Sequence, residues 1–129
     1  MPIRRGEEYL ESLRDGRRVW LHGELVEDVT AHPSLKGCAR SVAAVYDLQH
    51  VPAQRDLLTM PSPVSAQPVS LAYLLPHSVE DLTRQRKMYE FLVRRAGGVP
   101  ARLPQHLATV VLGLHDFRHV FRKANPAFS

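Results

Sequence analysis

The hydrophobic pattern changes character several times along the chain. Glu7, Glu8, Tyr9, Leu10, Leu13 and Arg14 follow helical spacing, with acids before a base as the helix dipole favours. Gly16 is placed to end this helix after about two to three turns. From Arg18 to Val29 the pattern turns into short apolar runs, Val19-Trp20-Leu21 and Leu25-Val26, on either side of His22-Gly23. Runs broken by a glycine-containing pair predict a β-hairpin. Thr30-Ala31-His32-Pro33 then supplies a turn, because a residue before proline is biased away from helical dihedrals. Between Gly37 and Gln49, Cys38, Val42, Val45 and Tyr46 recur at helical spacing with Leu48 close by. An amphipathic helix is expected there, with Cys38 as an inert core residue and His50-Val51-Pro52 as the stop.

The segment from Met60 to Pro68, MPSPVSAQP, holds three prolines and two serines. Proline cannot sustain a helix and interrupts a central strand, so this segment reads as a loop. Val69 to Leu75 reads as a short extended segment ended by Pro76. Ser78-Val79-Glu80-Asp81 has the pattern of a helix N-terminus, and Val79, Leu82, Tyr89, Val93 and Ala96 carry one apolar face to Gly97-Gly98. Arg86 falls on that stripe, either as a stem that packs while its head reaches water or as one half of a buried ion pair or ligand contact. A last helical region starts near Leu103-Pro104, with Leu107, Val110, Val111 and Leu114 along one side. It breaks near Gly113 to Asp116 and resumes through Phe117, Val120 and Phe121. With Phe128, these last apolar residues either close the core or mark a surface for a partner or for further polypeptide. The expectation is a mainly α fold with one small hairpin, formed by a single domain over residues 1–129.

Composition narrows the classes. A chain of 129 residues can bury a core without metals or disulfides. Its one cysteine permits no internal disulfide and no cysteine-based zinc site or iron–sulfur cluster, which suits a reducing, cytoplasmic setting. No apolar run approaches the roughly 20 residues that cross a bilayer, so no membrane association is expected. Lys plus Arg is 17 against 13 for Asp plus Glu, but the basic groups are scattered among acids and apolar residues. They read as solvated helix faces, and no nucleic-acid partner is expected.

Among candidate chemical groups, His115 and His119 are spaced i, i+4 and could share a helix face, yet no acidic third ligand follows, so no metal site is expected. His22 and His32 occupy ordinary turn positions. No phosphate-cradling glycine loop and no hydrolase elbow is present.

The stretch Gly6 to Pro33, GEEYLESLRDGRRVWLHGELVEDVTAHP, is long and idiosyncratic. It resembles the N-terminal signature of the large, flavin-using component of the 4-hydroxyphenylacetate 3-hydroxylase family. AHPSLKGCARSVAAVYDLQHVP, SVEDLTRQRKMYEFL, the region Gly98 to His106 and GLHDFRHVF resemble later family segments in the same order. The resemblance implies an acyl-CoA dehydrogenase-like helical N-terminal domain, with the family's middle β-barrel and C-terminal helical bundle absent from this chain. It implies a two-component monooxygenase that uses reduced FAD, supplied by a flavin reductase, to hydroxylate a phenol ortho to its hydroxyl. FAD is not expected to bind stably to this chain alone, and association into an oligomer or with downstream domains is expected. The alternative is a non-catalytic interaction module derived from the same domain.

The resemblance also implies site residues. In the family, Gly-Arg-x-Pro-Asp-Tyr follows the long helix and directs its arginine and tyrosine into the substrate pocket. Here the segment reads Ala101-Arg102-Leu103-Pro104-Gln105-His106, so Arg102 and His106 are the implied catalytic and substrate-binding residues, with histidine in the tyrosine's place. By sequence alone Arg102 reads as a surface arginine and His106 as an exposed histidine in a first helical turn. A related branch, the 4-hydroxybutyryl-CoA dehydratases, carries cluster-ligating cysteines around the arginine position. Val99 and Leu103 stand there in this chain, which disfavours iron–sulfur chemistry.

Overall fold

A computed structural model describes residues 3–98, 104–125 and 127. The chain divides into two compact units, Met1–Val69 and Ser70–Ser129.

The first unit opens with α1 (Gly6–Ser12). Glu8 accepts from the Arg5 N–H at 2.6 Å, so a first-turn carboxylate satisfies a free backbone donor and meets the positive end of the helix. The expected late base lies outside the helix, which ends at Ser12 before Arg14, while Gly16 turns the chain at φ +78°. Next come β1 (Val19–Leu21) and β2 (Glu24–Val26), paired antiparallel with Val19 opposite Val26 and Leu21 opposite Glu24. The two-residue loop has positive φ at both His22 (52°) and Gly23 (86°), the pattern of a type I′ turn whose twist matches the strands. The hairpin therefore forms as expected, with Val26 buried and Trp20 and Leu25 paired on its exposed side.

Helix α2 (Lys36–Leu48) buries Ala39, Ala43 and Val45; of the expected face Val45 is buried, while Ala39 and Ala43 replace Cys38 and Val42 as its innermost residues. Cys38 is exposed, so it is not a core residue. The small alanines allow α1 to approach closely. The Gly6 N–H donates to Asp47 Oδ1 at 2.8 Å, and the Tyr9 and Tyr46 rings stack at 5.1 Å. Burial raises the Tyr9 hydroxyl pKa, and Tyr46 acts in the same direction. Pro52 does more than stop α2. It occupies the first position of α3 (Pro52–Leu58), where its missing N–H costs nothing, and extended Val51 before it obeys the pre-proline rule. This short helix had no clear periodic signal, although proline followed by Leu57-Leu58 marks its two ends. In the proline-rich stretch, β3 (Thr59–Pro61) and β4 (Pro68–Ser70) form a two-stranded sheet. Each is three residues long and on an edge, the setting in which strand prolines are tolerated.

In the second unit the expected extended segment ends early, because Leu71–Tyr73 forms a 3-10 turn whose Leu71 and Ala72 are buried. Helix α4 (Val79–Arg95) starts as predicted: Ser78 Oγ accepts from the Asp81 N–H at 3.1 Å, and Asp81 accepts in return from the His77 N–H. It ends with Gly97 at φ +65° and the Gly98 N–H donating to the Val93 carbonyl, the two features of a Schellman cap. Its buried face differs from the expected one. Met88 (0% exposed) and Leu92 are buried, whereas Val79 is 81% exposed. Arg86 lies outside the buried stripe and pairs with Glu90 one turn away, an exposed i, i+4 contact of small energetic weight.

Helices α5 (Pro104–Asp116) and α6 (Arg118–Ala124) meet at Phe117, close to the expected break. Gln105 and Ala108 are the buried residues of α5, while Leu107, Val110, Val111 and Leu114 are exposed. The apolar side read from the sequence is thus the outer side. The 3-10 turn packs against both α4 and α5.

Two substitutions test this packing. At Gly6 an added Cβ would stand 2.5 Å from Asp47 Oδ2 and 2.6 Å from the Ala43 carbonyl oxygen. Gly6→Ala is expected to destabilise the chain by about 1–3 kcal/mol, read as a lower urea midpoint. Leu92→Ala empties a fully buried position and is expected to cost about 2–5 kcal/mol. Unchanged midpoints would contradict the packing described.

Candidate functional site

The two implied site residues flank the start of α5. Arg102 lies outside the described residues. His106 is described, in the first turn of α5 and exposed, so its imidazole is available to a ligand.

The turn carrying His106 is held from below by three side chains. Gln105 is 5% exposed, and its carboxamide Oε1 has no hydrogen-bond partner among the described residues. The Gln105 backbone carbonyl lies 3.0 Å from the Tyr89 hydroxyl and 3.2 Å from Thr109 Oγ1, each within reach to donate to it. Tyr89 and Thr109 hydroxyls also bond each other at 2.6 Å. Sequence reasoning placed Tyr89 on an apolar face and passed over Gln105. A phenol at a helix–helix contact needs a polar partner when half-buried, which is the signal that identifies Tyr89 in hindsight. Helix α4 is itself anchored by Gln85 Nε2, which donates to the Leu74 carbonyl at 2.7 Å.

His115 and His119 point into local contacts. The Arg118 guanidinium donates to the His115 carbonyl at 2.7 Å, and His119 Nδ1 lies 3.2 Å from the Asp116 carbonyl oxygen, to which it can donate. No cluster of three metal-ligating side chains occurs among the described residues.

In the first unit, a cavity of about 390 Å³ is lined by Leu13, Arg14, Arg17, Arg18, Val26 and Asp28, among others. Its cations are already engaged. Arg14 pairs with Glu11 and lies 3.4 Å from Asp28, Arg17 pairs with Asp15, and Arg18 sits over the Trp20 ring. The partner carboxylates are shaped by local contacts. The Arg17 guanidinium holds the Asp15 carboxyl down to about 2, and the Thr30 hydroxyl and N–H lower that of Asp28.

The fold, six helices with a small hairpin among the described residues, is that of an acyl-CoA dehydrogenase-like helical N-terminal domain. Residues 5–129 match the family described as 4-hydroxyphenylacetate 3-hydroxylase N terminal, and the chain belongs to that family. It is 33% identical over 130 residues to the 4-hydroxyphenylacetate 3-monooxygenase oxygenase component of Geobacillus sp. (strain PA-9), covering 100% of this chain and 26% of that protein. A crystal structure of a 4-hydroxyphenylacetate 3-monooxygenase oxygenase component, complexed with FAD and 4-hydroxyphenylacetate, is 35% identical with a TM-score of 0.83. That match covers 92% of this chain and 25% of the other. An archaeal 4-hydroxybutyryl-CoA dehydratase from N. maritimus is similar at 29% identity and a TM-score of 0.79, covering 96% of this chain and 24% of the dehydratase. The chain thus spans about a quarter of the length of these relatives. Among the described residues no helix is long and apolar enough to cross a membrane.

The lowered carboxylates set an acid limit. A carboxyl whose folded pKa lies below its unfolded value of about 3.9 contributes stability that is complete above that value and is lost as pH falls through the folded pKa. For Asp15 the window runs from about 4 down to about 2, and Asp28 and Asp81 act in the same direction. The urea midpoint is expected to fall below pH 4, less steeply in Asp15→Asn and less steeply in high salt, which screens exposed pairs. An Asp15→Asn profile identical to that of the parent would contradict it.

Proposed function

We propose that this chain is the N-terminal, substrate-pocket domain of a two-component, FADH2-dependent aromatic monooxygenase that hydroxylates a phenol ortho to its hydroxyl. The supporting observation is the match over 92% of the chain to a relative whose structure holds FAD and 4-hydroxyphenylacetate. A 4-hydroxyphenylacetate-like phenol is the substrate, a flavin reductase is the partner, and the cytoplasm is the compartment.

When bound, reduced FAD supplies the oxygen-activating chemistry. The residues of this chain act on the phenol. A phenol has a pKa of about 10 and is mostly protonated in neutral water, where its ring carbons are weak nucleophiles. Arg102 favours the phenolate by its fixed positive charge, and His106 donates a hydrogen bond to the phenol oxygen or takes its proton. An imidazole in the first turn of α5, exposed beside buried Gln105, suits that role because its backbone is fixed while its ring meets the ligand.

In a polypeptide that continues this chain with the downstream portion of a family member, Arg102→Met is expected to lower kcat/KM for 4-hydroxyphenylacetate by about 10²-fold. His106→Phe is expected to lower it by about 10-fold or more, within the range of a lost acid–base group. Wild-type turnover in both would remove these residues from the site. The 129-residue chain supplied with reduced FAD and reductase is expected to be inactive, and hydroxylation by it alone would overturn the domain assignment. On the same reading residues 1–129 form a single folding domain, expected to unfold in one transition, and two separate transitions would count against it.

One observation favours a second reading, a non-catalytic interaction module that pairs with itself or with a longer relative. Leu107, Val110, Val111, Leu114, Phe117 and Phe121 are all exposed along α5 and α6. Such a row exceeds the scattered apolar residues normal on a surface. Concentration-dependent size, measured by sedimentation, is expected on this reading. A strict monomer that binds no apolar dye would dismiss it.

A further inference from the structure

We propose that Tyr89 is a positioning residue for the candidate site: its hydroxyl fixes the first turn of α5 and so sets where His106 presents its imidazole. The inference deepens the proposed function and rests on it for the role of His106.

Three observations carry it. Among the described residues, every side-chain hydrogen bond between α4 and α5 runs through the Tyr89 hydroxyl, to the Gln105 carbonyl at 3.0 Å and to Thr109 Oγ1 at 2.6 Å. Thr109 Oγ1 also reaches the Gln105 carbonyl, at 3.2 Å. The triangle contains two hydroxyl protons. Either Tyr89 donates to the carbonyl and Thr109 to Tyr89, or Thr109 donates to the carbonyl and Tyr89 to Thr109. In both arrangements the Gln105 carbonyl is bound, and Gln105 directly precedes His106.

The second observation is the rigidity of the platform. Around Tyr89, α4 is held by fully buried Met88 and Leu92 and by the Gln85 bond to the Leu74 carbonyl. A hydroxyl projecting from such a surface has a defined position. The third is the lack of other hydrogen-bonding anchors in the α5 turn. The turn packs on the 3-10 segment through Gln105 and Ala108, but Gln105 Oε1 has no partner among the described residues and the Ala108 side chain is a single methyl. The hydroxyl triangle adds the directional restraint between α4 and α5.

Tyr89→Phe tests this directly, because phenylalanine keeps the ring and deletes only the hydroxyl. In the 129-residue chain, the Ala108 and Thr109 amides are expected to exchange with deuterium about five-fold faster in Tyr89→Phe, the effect of losing one net hydrogen bond. Exchange is expected to be faster still in Tyr89→Phe/Thr109→Val. The His106 ring resonances are expected to shift in both variants, while amides of α2 keep parental exchange. Thr109→Ser, which retains the hydroxyl, is expected to match the parent. If Tyr89→Phe does not fold, Thr109→Val carries the test with an intermediate acceleration. A role in ring packing alone predicts parental exchange and parental His106 resonances in Tyr89→Phe, and that result would overturn the proposal. These readouts need no turnover, so loss of the clamp and loss of the assigned chemistry are separately visible. Should Arg102 and His106 prove dispensable for hydroxylation while the exchange responds, the catalytic reading fails and the clamp remains.

Discussion

Close approach of backbone at small residues, locked by side chains that bond to main-chain groups, is the constraint on which both units depend. Few large side chains are fully buried; Leu58, Leu71, Met88 and Leu92 are the largest among the described residues. Much of the remaining core is alanine, at positions 39, 43, 72 and 108. Methyl groups bury little apolar area, so hydrophobic transfer alone stabilises such contacts weakly. What they allow is proximity. At Gly6 the backbone comes near enough for its N–H to meet Asp47, and at α5 the Gln105 carbonyl meets Tyr89. A buried main-chain group without a partner is costly; Asp47 removes that cost for the first-turn Gly6 N–H, and Tyr89 adds a directional contact to a carbonyl already within its helix.

The same economy leaves apolar residues elsewhere. In α5 the face with Gln105 and Ala108 turns inward, and the face with Leu107, Val111 and Leu114 turns outward. A helix of this composition would ordinarily bury its leucines and valines. The reversal leaves a row of apolar residues larger than the scattered ones normal on a surface. The first unit shows no comparable row. Its exposed Trp20 and Leu25 form one cross-strand pair, with Arg18 lying over the indole.

The candidate site draws its character from this arrangement. His106 is exposed, but it stands on a turn whose preceding residue is buried and whose carbonyl lies within hydrogen-bond reach of a pair of mutually bonded hydroxyls. The arginines of the first unit serve a different end. Arg14 pairs with Glu11 and reaches Asp28 and Thr30, tying the end of α1 to the loop after the hairpin, while Arg17 pairs locally with Asp15.

The elements that sequence determined are those governed by local rules. Hairpin His22-Gly23 needs two positive φ angles, Ser78 and Asp81 cap α4 with bonds three residues apart, and Gly97-Gly98 closes it; each follows from neighbours in the chain. The family signature was legible for a different reason, since a long ordered series of idiosyncratic segments matches one family over residues 5–129. Tertiary structure alone decided which face of each helix is buried. Periodicity placed Cys38 and Val79 on the packed faces of their helices, and both are exposed, because a helix with apolar residues on several sides turns inward whichever face its neighbours can approach. Here the approachable faces were those of small or hydrogen-bonding residues, Ala39 and Ala43, Gln105 and Ala108. The contact of Tyr89 with Gln105 spans sixteen residues and depends on the relative placement of two helices, which no local pattern encodes.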